Sequence, residues 1–293
     1  MNTEFSEFHD ELRSVAGDLL GKDRAVDWPT LVEAGWPGLE VPEEFGGAGA
    51  TFEEVAIVCA EMGRAASATS YLGSAVLAVG TVNALQPSNA RDDLLRDIAS
   101  GAARVAVALE PYDFVPDADG ADRVLVVTGS GVAEPAVTVT AQPVLDETRR
   151  LAKVSVAGHP GEVLRFATDP DAAIARLRDR AAVGVACDSL GLSEAMLSAT
   201  VDYAKVRQQF GRPIGSFQAV KHACADMLVS IAVSRQLVAA AVRAVAGDDP
   251  HAGVAAAMAK SHACGAAVDI VGKAMQLHGG IGYTWESGVH VYL

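Results

Sequence analysis

Aromatic residues are scarce in this chain of 293 residues: Phe, Tyr and Trp together make up 5% of it, while hydrophobic residues make up 50%. A core must therefore be assembled mainly from Ala, Val and Leu, which favours closely packed helices over a sheet sandwich. Positive charge is also short, with 23 Lys and Arg against 37 Asp and Glu and a formal net charge of −14. A nucleic-acid partner is excluded on that ground, because a phosphate backbone needs a basic surface. A small anionic ligand would have to be received by local arginines. Cysteine occurs four times, at Cys59, Cys187, Cys224 and Cys264, with no CxxC pair. That spacing excludes a disulfide scaffold or a zinc knuckle and reads as reduced, buried thiols. His262 and Cys264, two residues apart on one helix, face different sides and make no metal site. The opening stretch, MNTEFSEFHDELRS, has no basic segment followed by an apolar run, and Arg, Asp or Lys interrupts the Ala/Val-rich stretches. A cytoplasmic protein with no transmembrane span is expected.

What is present is mostly helical periodicity. Phe5, Phe8, Leu12, Val15 and Leu19 recur at helical spacing, so residues 3–20 are predicted to form an amphipathic helix. A second helix starts at Trp28–Pro29 and stops before Gly35. The run GWPGLEVPEEFGGAG is too rich in Gly and Pro for helix or strand and reads as a structured loop. Thr51 and Glu54 form a capping box for a helix ending near Gly63. Helices over 67–85 and 89–100, with Asn89 as N-cap and Gly101 as stop, complete a helical domain over 1–101. From Ala102 the pattern changes to short β-branched runs, RVAVAL, RVLVVTG, PAVTVT, LAKVSVAG and VLRFATD, separated by Pro, Gly and Asp. These predict a small β domain over 102–169. Beyond Asp169–Pro170 the chain is helical again, giving a C-terminal bundle over 170–293. The fold class is mainly α with a small β domain.

One stretch combines helix signals, a turn and fixed charge: YAKVRQQFGRPIGSFQAVKHACADM, Tyr203 to Met227. A long helix is expected to end at Phe210, with Gly211 as C′ residue and Pro213 preventing continuation. Ser216 is placed to cap a second helix running to Gly247. The corner of this hairpin carries Arg207, Gln209, Phe210, Arg212 and Gln218. A guanidinium beside a glycine turn suits a pyrophosphate, since it makes two parallel charge-assisted hydrogen bonds while glycine admits the ligand. An arginine near a helix end equally serves to neutralise the helix dipole. After an N-cap at Asp249 and a first-turn Pro250, the last helix runs from about His251 to His278 and ends in QLHGGIGYTWE.

The string Y-x-x-x-R-x-x-F-G-x-P-I-x-x-F-Q-x-x-K-H resembles the helical signature of the acyl-CoA dehydrogenase family. Two further stretches match it. One is the G-x-x-G-x-x-x-P-E-x-x-G-G-x-G loop followed by a helix ending in E-x-G-R; the other is the Q-x-x-G-G-x-G turn at Gln276. The resemblance implies an N-terminal helical domain, a middle β domain and a C-terminal bundle, with FAD as cofactor. It also implies that Arg207, Gln209, Phe210 and Gln218 contact the flavin in cis. Gln276, Gly279 and Gly280 would do so in trans, across a dimer interface. The implied reaction is α,β-dehydrogenation of an acyl-CoA thioester, reoxidised by an electron-transfer flavoprotein. Departures from the pattern are equally informative. Tyr112–Asp113–Phe114 stands where G-S-D is usual, no T-G-x-K strand follows, and the β domain reads as shortened.

The catalytic base stays unassigned. The family places a glutamate either in an E-G-T tripeptide, which would fall beyond Leu293, or on the long helix at a position that registers onto Ala181. Asp179, two residues away, would point roughly 200° from that direction at about 100° per residue. Asp188, Glu194 and Glu286 match no family base position and read as solvated or helix-terminal charges. The combination resembles heteromeric acyl-CoA dehydrogenases of actinobacterial steroid catabolism, in which a sister subunit carries the base. The alternatives that stay open are a conventional homo-oligomeric dehydrogenase using an unrecognised base, or one whose true C-terminus has been removed, and a structural or regulatory subunit without flavin. A hetero- or homotetramer is expected, because two long Ala/Gly-rich helices have more apolar surface than one bundle covers.

Overall fold

The computed structural model describes residues 3–159 and 161–293. The N-terminal helices are α1 (Thr3–Leu20), α2 (Trp28–Glu33), α3 (Phe52–Ala65), α4 (Gly80–Asn83) and α5 (Asn89–Ala99). Asp27 caps α2 by accepting from the Thr30 amide at 3.0 Å. The capping box of α3 is present in both directions: Glu53 N donates to Thr51 Oγ1 at 3.1 Å and Thr51 N donates to Glu54 Oε2 at 2.8 Å. Three details differ from the sequence expectation. In α1 the buried stripe is Leu12, Ala16 and Leu20, while Phe8 and Val15 are exposed; the side chain of Phe5 lies outside the described residues. Ser88 rather than Asn89 caps α5, its hydroxyl accepting from Arg91 N at 3.2 Å. The stretch before α4 is a π-helical segment, Leu72–Val79, instead of regular α-helix.

The β domain contains β1 (Val105–Ala108), β2 (Val115–Pro116), β3 (Arg123–Thr128), β4 (Gly131–Ala133), β5 (Ala136–Ala141), β6 (Leu151–Ala157) and β7 (Val163–Leu164). They form a four-stranded sheet in the order β1-β3-β4-β7 and a three-stranded sheet in the order β2-β6-β5. β1 and β3 run parallel, the other pairs antiparallel.

Three long helices form the C-terminal bundle: α6 (Pro170–Val206), α7 (Gln218–Ala246) and α8 (Ala252–His278). Asp169 caps α6 by accepting from Ala172 N at 3.0 Å, with Pro170 in its first turn. α8 begins at Ala252, two residues later than Pro250 implied, because Asp249 turns back to accept from His251 N at 2.7 Å. Glycines let α3 and α6 touch: a Cβ on Gly63 would lie 1.8 Å from the Asp188 carbonyl oxygen, and one on Gly191 1.8 Å from that of Ala60. The connectivity is up, down, up, so the C-terminal ends of α6 and α8 meet at one end of the bundle. By length and composition alone, α7 and the stretch Ala252–Tyr283 are apolar enough to cross a bilayer, with mean hydropathy 1.6 and 1.2. That result contrasts with the expectation from interrupted apolar runs, and it reflects Ala/Val content. Both helices lie lengthwise against α6 and leave Leu228, Val229, Val233, Val254, Met258 and Val268 exposed.

Candidate functional site

The signature corner is built differently from a helix stop at Phe210. α6 ends at Val206, and Arg207 is already extended, at φ −68° and ψ 122°. Strands β8 (Gln208–Gln209) and β9 (Arg212–Pro213) then pair as a two-residue hairpin. Its turn residues Phe210 and Gly211 both have positive φ, 52° and 74°, the geometry of a type I′ turn. Ile214 N donates to Arg207 O at 2.8 Å and closes the loop. Apolar periodicity continues through Phe210, so it conceals this hairpin, and Phe-Gly is a weaker turn signal than Asn-Gly. Ser216 does not cap α7. Its hydroxyl donates to Pro213 O at 2.7 Å, and Phe217 occupies the N-cap.

The hairpin projects into solvent. Arg207, Gln209 and Gln218 are exposed and Phe210 is 91% exposed. Arg207 makes no ion pair among the described residues, whereas Arg212 lies over the Phe217 ring at 4.1 Å and Gln218 Nε2 meets His222 Nε2 at 2.9 Å. Gln276, Gly279 and Gly280 are exposed at the end of α8. Gly279 has φ 65° and ψ −144°, a conformation open essentially to glycine only, and nothing lies within 4 Å of a Cβ built on either glycine.

The two segments are neighbours. Tyr203, one turn before Arg207, stacks on His278 with ring centroids 4.5 Å apart and donates its hydroxyl to His278 O at 3.2 Å. Both sets of signature residues thus belong to one end of one bundle. An unpaired guanidinium and an open glycine turn at the same end of the bundle fit the pyrophosphate of FAD, with Arg207, Gln276, Gly279 and Gly280 as the residues that would hold it.

Ala181 lies about 39 Å from Arg207 along α6, at 1.5 Å per residue over 26 residues. It packs its methyl against the apolar cluster of Leu77, Val82, Leu95 and Leu177. Next to it, Arg180 is 8% exposed and saturated: its Nε donates to Val76 O at 2.5 Å, Nη1 donates to Glu40 Oε1 at 3.0 Å, and Nη2 pairs with Glu40 Oε2. This turn borders a cavity of about 490 Å³ between the N-terminal loop, α4, the start of α6 and the α7–α8 corner. Asp179 lines it, half-buried and without an ion-pair partner among the described residues, and burial raises its pKa.

The other acids are held elsewhere. Glu194 is shared by Arg64 Nη2 and Arg235 Nη2, each at 2.5 Å, so it is a structural anion and not a solvated charge. Asp188 is also not solvated. It is half-buried against Arg149 Nη2 at 2.5 Å in a small crevice with Asp117, Cys59 and Met62, and desolvation raises its pKa against the opposing charge of Arg149. Glu286 is exposed. Nothing in the local sequence announces the Asp117–Arg149–Asp188 cluster or the Arg180–Glu40 pair, because their partners are far apart in the chain. Among the described residues no group of three or more His, Cys, Asp or Glu is placed to hold a metal ion.

Comparison with known proteins places this geometry. Residues 172–293 match the acyl-CoA dehydrogenase C-terminal domain and residues 4–102 the N-terminal domain. The acyl-CoA dehydrogenase IpdE2 of Mycobacterium tuberculosis is 39% identical over 279 residues, covering 93% of this chain and 81% of the relative. Among solved structures, a variant of the Tcur3481–Tcur3483 steroid ACAD superposes with a TM-score of 0.86 at 26% identity, covering 98% of this chain and 91% of that one. The ChsE4–ChsE5 complex from Mycobacterium tuberculosis gives a TM-score of 0.82 at 25% identity, covering 97% and 90%.

Proposed function

This chain belongs to the acyl-CoA dehydrogenase family of oxidoreductases, and from that premise we propose that it serves as the subunit of a hetero-oligomer that completes a flavin site on a sister chain. The observation that carries this reading is the methyl group of Ala181 at the helical base position, joined to its distance along α6 from the arginine corner. The base position at Ala181 and the pyrophosphate-binding corner at Arg207 are about 39 Å apart, more than one FAD spans. A flavin held by Arg207, Gln276, Gly279 and Gly280 would not reach Ala181 of the same chain, so its ring would work with a base position on another chain. On this chain the helical base position carries a methyl group. Arg207 binds and orients the pyrophosphate, the glycines admit it, and Phe210 and the exposed rims of α7 and α8 exclude water once covered by the partner.

When bound, the flavin supplies the acceptor for the hydrogen that leaves the β carbon of the acyl thioester. The sister chain supplies the carboxylate that removes the α proton. The two-named assemblies among the structural relatives support a heteromeric arrangement, and the steroid ACAD among them supports a bulky, steroid-derived acyl-CoA as substrate. An electron-transfer flavoprotein completes the cycle in the cytoplasm. Co-purification with the sister chain tests the reading through flavin absorbance per protomer and dye reduction with several acyl-CoAs. Activity is expected only in the mixed assembly.

A second reading is favoured by Asp179, an unpaired acid with a raised pKa lining the ligand-sized cavity beside Ala181. On that reading the chain alone is a flavin-replete, active homo-oligomer, and Asp179→Asn abolishes turnover. That result would replace the first reading.

A further inference from the structure

The last carbonyls of an α-helix lack i→i+4 partners, and they are satisfied by a tightening 3-10 turn, by water or by groups arriving from other elements. At the end of α8 the His278 carbonyl opens the 3-10 turn Gly279–Tyr283 and also accepts from the Tyr203 hydroxyl of α6, 75 residues earlier in the chain. The contact is reinforced twice. The Tyr203 and His278 rings lie 20° from parallel with centroids 4.5 Å apart, and His278 Nδ1 meets Ala274 O at 2.8 Å, which makes Nδ1 the protonated donor and fixes the ring. His278 is 8% exposed and Tyr203 is half-buried beside it.

Both residues adjoin the groups proposed to hold a pyrophosphate. Arg207 N donates to Tyr203 O at 2.9 Å, which ties the start of the arginine hairpin to the tyrosine backbone. His278 directly precedes Gly279, whose φ of 65° ends the α-helix and opens the 3-10 turn Gly279–Tyr283. A Cβ on Gly282 would fall 2.6 Å from Met275 O and 3.0 Å from His278 Cβ, so the glycine turn folds back onto the same histidine. We propose that Tyr203 and His278 are a positioning pair that sets the spacing between the Arg207 guanidinium and the Gly279–Gly280 backbone, and thereby the affinity for the diphosphate of FAD. This inference rests on the flavin reading given above. The chemical need is geometric: a guanidinium and a backbone turn on two separate helices share one diphosphate only if the helix ends are held in register.

The test uses the assembled complex with its sister chain, stripped of flavin and titrated with FAD and, separately, with ADP. Tyr203→Phe keeps the stack and loses the hydroxyl bond; it should weaken FAD and ADP roughly threefold to tenfold. Tyr203→Leu and His278→Ala lose the stack as well and should weaken both ligands by more than tenfold. His278→Phe, which restores a flat ring, should recover part of that loss. In an Arg207→Ala background the effect of Tyr203→Leu should largely vanish, because a positioning residue acts through the group it positions. Thermal unfolding of each complex gives the control. Loss of thermal stability with unchanged FAD and ADP affinity would assign the pair a structural role and overturn the proposal. Equal effects of Tyr203→Leu with and without Arg207 would overturn it too. If Arg207→Ala itself left FAD affinity unchanged, the flavin reading would fall first and the pair with it.

Discussion

Asp117→Asn is expected to stabilise this protein at neutral pH and to have no such effect in acid. Asp117 follows β2 in a left-handed conformation, φ 57°, and is 8% exposed. Burial pushes its pKa up from 3.8 to about 6, against the opposing influence of the Gly73 amide, which donates to Oδ2 at 2.8 Å, and of the Arg149 and Arg150 charges. The folded state therefore binds the proton more tightly than the unfolded chain does. Below pH 3.8 both states are protonated and burial of this group carries no ionisation cost. As pH rises from 3.8 to 6 the unfolded chain ionises first, and stability falls. Above pH 6 the loss is complete, about 3 kcal/mol for a shift of roughly two units at 1.36 kcal/mol each. Asparagine tolerates the same backbone conformation and offers a carbonyl oxygen to Gly73 N, but it does not ionise. Urea unfolding followed by circular dichroism between pH 4 and 8 should show the variant and the parent diverging as pH rises, by up to about 3 kcal/mol at pH 7.5. Parallel pH profiles, or a variant less stable than the parent at pH 7.5, would refute the reasoning.

Three further expectations follow from named contacts. Gly191→Ala should destabilise by at least about 1–3 kcal/mol, because its Cβ would sit 1.8 Å from Ala60 O and force α3 from α6; thermal unfolding measures it. Glu40→Ala should cost about 3–5 kcal/mol by leaving Arg180 buried without its counter-charge, whereas replacing both residues with apolar ones of similar volume should restore most of the loss in chemical denaturation. Gly280→Val, at an exposed position with open space around it, should leave helix content and stability unchanged while lowering flavin occupancy of the mixed complex, read from absorbance.

Local physics was enough for much of this molecule. The Thr51–Glu54 capping box, the Asp169–Pro170 start of α6, the change from period-3.6 helices to β-branched strands near Ala102 and the helical return near Pro170 all depend on residues within a turn or two of one another. The motif strings around Arg207 and Gln276 were equally legible, and with them the family. Other features were decided only when distant segments met. Apolar periodicity carried α6 through Phe210, but the backbone leaves the helix at Arg207 because the strand pairing of 208–209 with 212–213 competes with it. The buried face of α1 was set by what α3 presents to it. Asp188 and Glu194, unremarkable on a helix, became structural anions once Arg149, Arg64 and Arg235 arrived from other elements. The stack of Tyr203 on His278, which brings both halves of the candidate flavin corner to one end of one bundle, joins residues 75 apart. A sequence pattern reports what a residue does to its neighbours along the chain; which charge meets which, and how far Ala181 lies from Arg207, follows from helix length and packing.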